Sequence, residues 1–98
     1  YGEAPTGAGV RGVSSGGFGI DGAGRTGVHG TGTGRSGYGG LFEGGKAQLR
    51  IVPKTTVGKP TSGTHAKGEI VLDSAAALWI CTVGGTPGTW RKVSTTLA

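Results

Sequence analysis

The chain has 98 residues, 24 of them glycine, with two Trp, two Tyr, two Phe, one Cys, no Met and a formal charge of +5. Glycine at about a quarter of the chain, against a usual share of about 7%, gives no side chain to a core and loses the most backbone entropy on folding. A conventional single-chain hydrophobic core over the whole length is therefore not expected. One cysteine excludes an internal disulfide, no Cys/His cluster has zinc spacing, and no apolar run approaches the roughly 20 residues of a membrane-spanning helix. The lack of methionine, and an opening in mid-repeat at Tyr1-Gly2, lead to the expectation of a processed product or fragment with further repeats upstream.

The first half is a repeat of period five. Glycine stands at 2, 7, 12, 17, 22, 27, 32 and 37, with a mostly apolar column of Ala8, Val13, Phe18, Ala23, Val28 and Tyr38 between them. A sparser column holds Val10 and Ile20, and the last place of each pentad is mostly polar. Five matches neither the 3.6 period of a helix nor the period of two of an unbroken strand. It suits short extended pieces that bend at each pentad, as in a β-helix or solenoid-like fibre. Collagen is excluded, because its glycine must recur at every third position. Eight pentads make only a few coils, near the minimum for a solenoid, and a lone coil would leave open backbone edges. Winding of three identical chains about one axis is the expected remedy, with Val13, Phe18, Val28 and Tyr38 as axis packing.

Composition changes near Gly44-Gly45, which divides the chain into a stalk, residues 1–45, and a knob, residues 46–98. The stalk's charges cancel, Arg11, Arg25 and Arg35 against Glu3, Asp21 and Glu43. The knob carries Lys46, Arg50, Lys54, Lys59, Lys67, Arg91 and Lys92 against Glu69 and Asp73, so the net charge belongs to it. Alternation predicts strands over 47–52, ended by Pro53, over 69–73, over 78–83 and over 89–93, with turns at 74–77 and 84–88. The alanine run at 75–77 is too short for a helix. Leu49, Ile51, Ile70, Leu72, Trp79 and Trp90 are the expected core or subunit-interface residues, with Tyr38 and Phe42 packing at the junction. Cys81 reads as a small buried hydrophobe. A unit this small has a marginal core, which again favours association. The expected fold class is thus all-β: an intertwined glycine-rich β-helical stalk, trimeric by the argument from core size, followed by a small antiparallel β knob.

Candidate sites are sparse. G-x-G-x-x-G begins at Gly7, Gly17, Gly22 and Gly32, but no strand leads into it and no helix follows, as a dinucleotide site requires. The pentad lattice generates the motif by itself, and no cofactor is expected. The knob's basic residues are scattered, with no run longer than Arg91-Lys92, which speaks against nucleic acid and for solvated surface or contact with an acidic cell-surface polymer. Trp79 and Trp90 are open to two readings, sugar-stacking platforms or core. His29 replaces the small residue of its pentad and is a candidate for a threefold axial metal site; otherwise no metal is expected. Asp73, Ser74 and His65 supply the residue types of a hydrolytic triad without a nucleophile elbow or pocket framework, so no enzyme activity is expected.

The segments GAGVRG, GFGIDG and SGYGGLFEGG, followed by KAQLRIVP, resemble the pentad-repeat stalks of bacterial and phage fibre proteins. The stretch THAKGEIVLDSAAALWICTVGGTPGTWRKV is similar to a short C-terminal β module common in phage tail fibres, in which an apolar-Asp strand precedes "LW-C" and a "GTPGTW" turn. The resemblance implies a homotrimeric, non-catalytic fibre end with stalk and knob; an extracellular or virion-surface location and a cell-surface polysaccharide as candidate receptor are the accompanying expectations. A self-assembling extracellular filament and a glycan-binding tip are the alternatives.

Overall fold

A computed structural model describes residues 2–97. Among them there is no helix, and the regular structure is one three-stranded antiparallel sheet. The chain divides into two units, Tyr1–Phe42 and Glu43–Ala98.

In the first unit no strand forms among the described residues, and every described residue is exposed. Nor does any backbone N–H of this unit donate to a backbone carbonyl of the chain, among the described residues. Runs of bend or turn fall at 5–7, 15–17, 24–27 and 34–36, with single bends at 9, 19 and 39, so the pattern recurs about every ten residues rather than at each pentad. Parity explains the doubling. An extended backbone alternates sides with period two, so a repeat of five returns on the opposite side and only ten restores it. The glycines of this unit do not all do the same work. Gly2, Gly12, Gly22 and Gly32 each press against a later carbonyl, of Gly9, Gly19, Gly27 and Tyr38, and a methyl on any of them would overlap that oxygen. Gly7 and Gly34 instead sit at the bends with left-handed backbone (φ 80° and 76°), where a side chain costs about 1 kcal/mol or more.

A substitution pair tests this division of labour. Gly12→Ala is expected to destabilise the native assembly by about 1–3 kcal/mol, the usual cost of overpacking. Gly16→Ala, with nothing near its added methyl, is expected to stay within about 0.5 kcal/mol of the parent. Denaturant midpoints of the two variants measured side by side check both values.

The second unit holds the sheet: β1 (Ile70–Leu72), β2 (Leu78–Val83) and β3 (Thr89–Lys92), in that spatial order. β1 pairs with β2 through Ile70↔Ile80, Val71↔Trp79 and Leu72↔Leu78. β2 pairs with β3 through Trp79↔Lys92, Ile80↔Arg91 and Cys81↔Trp90, after which the register shifts to Val83↔Thr89. The extra residue is Thr82, whose hydroxyl donates to the Thr89 carbonyl (3.3 Å) and fills the bulge. Ahead of β1, His65 and Gly85 exchange two backbone hydrogen bonds (2.9 and 3.0 Å), which fastens the loop before β1 to the end of β2.

The strand expected over 47–52 does not form. Its residues alternate, but no neighbouring strand offers a ladder, and Pro53 removes the donor that would have continued one. Among the described residues, backbone hydrogen bonding to the sheet begins past the proline, where Lys54 N–H donates to the Leu72 carbonyl (3.0 Å) and Ser74 N–H to that of Thr56 (3.0 Å). Leu49 and Ile51 consequently stay exposed, 63% and 40%.

Candidate functional site

The buried centre of the second unit is small. Trp90 and Cys81 are its only buried apolar residues among those described, and Asp73, 1% exposed, is buried at the opposite end of β1. Since paired residues of an antiparallel ladder project to the same face, Trp90 and Cys81 share one face of the sheet with the row Val71–Trp79–Lys92. Ile70, Ile80 and Arg91 lie on the other.

Asp73 follows β1 directly and organises everything around it. Its Oδ1 accepts from the N–H groups of Ala75 and Ala77, both at 2.9 Å. Its Oδ2 accepts from Gly58 N–H (2.8 Å) and from the Trp79 indole N–H (3.0 Å). The turn 74–77 is further closed by Asp73 N–H to the Ala77 carbonyl and Ala76 N–H to the Asp73 carbonyl. These bonds hold Ala76 at φ 63°, left-handed backbone that is unusual for a residue with a Cβ. Hydrogen bonding to the charged form, led by Ala77 and Trp79, lowers the Asp73 pKa to about 2 against the opposing cost of desolvation.

A second cluster closes the other end of β1. His65 Nδ1–H donates to Glu69 Oε1 (2.8 Å), His65 Nε2–H donates to the Ser62 carbonyl (2.9 Å), and Ala66 N–H donates to Glu69 Oε2. Both ring nitrogens face acceptors, so the geometry requires the imidazolium form. The Glu69 bond, then the Ser62 bond, raise the His65 pKa, while Ala66 N–H and then His65 lower that of Glu69. The His65 ring stands edge-on to Trp90, centroids 5.2 Å apart at 78°, and the Trp90 indole N–H donates to the Pro87 carbonyl (2.8 Å).

The two tryptophans, equivalent in sequence, thus separate. Trp90 is core, 6% exposed. Trp79 is half-buried, its ring held by Asp73. Leu72 is half-buried, whereas Ile70 is 56% exposed. Val13 (76%), Phe18 (82%), Val28 (77%) and Tyr38 (77%) are open, as are Phe42 and His29. Asp73, Ser74 and His65 do not combine, because the hydrogen bonds of both Asp73 and His65 go to other partners. Among the described residues, no group of three or more His, Cys, Asp or Glu side chains is placed to hold a metal. No helix among them is long and apolar enough to cross a membrane.

Residue reading missed the Asp73 and His65 hubs. The available signal was an aspartate at a strand end followed by four small residues, a setting in which Asp commonly bonds backbone N–H groups two and more positions on. Compared with protein-family models, with curated proteins and with solved structures, the chain matches none.

Proposed function

We propose that this chain is the end segment of a homotrimeric, non-catalytic, extracellular or virion-surface fibre, with the glycine-rich unit as an intertwined β-helical stalk and the sheet unit as a knob that keeps three chains in register. One observation carries the reading. Over residues 2–42 the large apolar side chains lie open to solvent, and among the described residues no backbone N–H donates to a backbone carbonyl of its own chain. Copies of the same chain supply both deficits, since backbone groups can pair across chains while the apolar column meets on a shared axis. Burying Val13, Phe18, Val28 and Tyr38 there stabilises the assembly by about 1.5–3 kcal/mol for each such side chain. Glycine lets three backbones approach closely, and length is gained with little side-chain volume.

The mass of the native particle tests this. Light scattering across a hundredfold dilution is expected to give three chains at every concentration, and Phe18→Asp with Val28→Asp is expected to shift the particle to single chains. A mass that grows with concentration favours the filament. A single, cooperatively folded chain overturns the proposal.

A further inference from the structure

We infer that Trp79 and Lys92 form a subsite for an anionic saccharide on the face of the sheet. The inference rests on the reading of the chain as the end segment of a fibre, and it assigns that end a ligand class.

The first argument is charge. The knob's two carboxylates are engaged within the fold: Asp73 takes four neutral N–H donors, and Glu69 takes His65 and Ala66 N–H. Among the described residues, the His65–Glu69 pair is the sole ion pair, so no Lys or Arg is neutralised by an acid. Lys92 is exposed and makes no side-chain hydrogen bond among the described residues. Its ammonium is therefore left for an anion from outside.

The second argument is placement. Lys92 stands directly across the ladder from Trp79, which stands across from Val71, so an apolar residue, an indole and a cation form one row on one face. Asp73 fixes the indole through its N–H (3.0 Å) and is itself 1% exposed. The aromatic plane is thus set before any ligand arrives, which removes part of the ordering cost of binding. A flat indole suits the apolar face of a sugar ring, and an ammonium beside it selects a ring that bears a carboxylate, sulfate or phosphate. Beyond Lys92 a shallow depression of about 280 Å³ is lined by Lys92, Val93, Ser94 and Thr95, whose hydroxyls suit sugar hydroxyls. Nucleic acid fits less well. Trp90 is buried, which leaves one half-buried aromatic on the sheet where single strands use successive stacking platforms, and among the described residues no helix is present for a groove.

The test uses the native assembly, with its mass measured in the same sample, and polygalacturonate as probe. Polygalacturonate is expected to bind with an affinity that falls as salt rises and to change the tryptophan emission, which comes from Trp79 and Trp90 alone. Lys92→Gln is expected to weaken binding about three- to fivefold per site, the upper part of the range of an exposed ion pair. Lys59→Gln removes the same charge from an exposed residue off the sheet, and it is expected to change binding less than twofold. Equal losses in the two variants, no change in emission, equal binding of neutral dextran, or tighter binding of a DNA oligonucleotide would each overturn the subsite. A monomeric particle that still binds polygalacturonate through Lys92 would sink the fibre reading and leave the subsite standing.

Discussion

Asp73→Ala is expected to abolish the cooperative unfolding transition of the sheet unit at 25 °C. The side chain is 1% exposed and accepts four hydrogen bonds, in a unit whose buried apolar residues are Trp90 and Cys81. Its removal frees the 74–77 turn, the Gly58 loop and the Trp79 ring together, and it leaves Ala76 in left-handed backbone with nothing to hold it there. Asp73→Asn is the sharper probe. Each carboxylate oxygen faces two N–H donors, so the amide NH2 meets two donors whichever way it is turned. Asparagine therefore keeps the shape, loses half of the acceptors and is expected to unfold at a lower denaturant concentration than the parent. The acid limb follows from linkage. The folded pKa, about 2, lies below the ordinary 3.8, so the carboxylate's contribution is complete above about pH 4 and is lost as pH falls towards 2. In Asp73→Asn that part of the acid limb is expected to disappear. Tryptophan emission against guanidinium, repeated from pH 2 to 5, measures all three effects.

The central strand was legible because its signals agree. Leu78-Trp79-Ile80-Cys81-Thr82-Val83 is apolar and β-branched, and it lies between a small-residue turn and a glycine-proline cluster; β2 spans the same residues. The segment 47–52 shows the same alternation and forms no strand. Alternation records which residues suit a ladder, whereas a strand needs a partner, and Pro53 keeps this segment from the edge of β1. The decad of bends was implicit in the odd length of the pentad but had to be drawn from parity. Asp73 and His65 were visible only as residue types. Their partners include the backbone N–H of Gly58, fifteen residues away from Asp73, and the ring of Trp90, contacts set by the closed sheet rather than by any spacing. The difference between Trp79 and Trp90 was illegible for the same reason: both lie on one face of the sheet, and what separates them is the cover over each, His65 and Pro87 at Trp90 and Asp73 at Trp79.

The sheet unit is expected to be most stable between about pH 4.5 and 6.5 and to lose stability on both sides of that window. The alkaline limb belongs to His65. Its pKa is raised in the fold above the ordinary 6.5, first by Glu69 and then by the Ser62 carbonyl, so its contribution is complete below 6.5 and is lost as pH rises through the folded value. Deprotonation strips a proton from one nitrogen while both still face acceptors, and the loop from 62 to 69 loosens beside the Trp90 edge. Glu69 acts in the opposite sense. Its pKa is lowered below the ordinary 4.5, so its contribution is present above that value and lost as pH falls, overlapping the Asp73 limb. The groups that face the imidazolium are the Glu69 carboxylate, the Ser62 carbonyl and the Trp90 ring; among the described residues, no Lys or Arg side chain forms an ion pair or hydrogen bond with this cluster. His65→Gln removes the titrating group and is expected to flatten the alkaline limb while it lowers stability at pH 5.5, where the parent is charged. Glu69→Gln is expected to bring the loss of the His65 contribution to lower pH, because the main cause of its raised pKa is gone. Denaturant midpoints at half-unit pH intervals measure both, and an alkaline limb unchanged in His65→Gln would refute the assignment of that limb to the imidazolium.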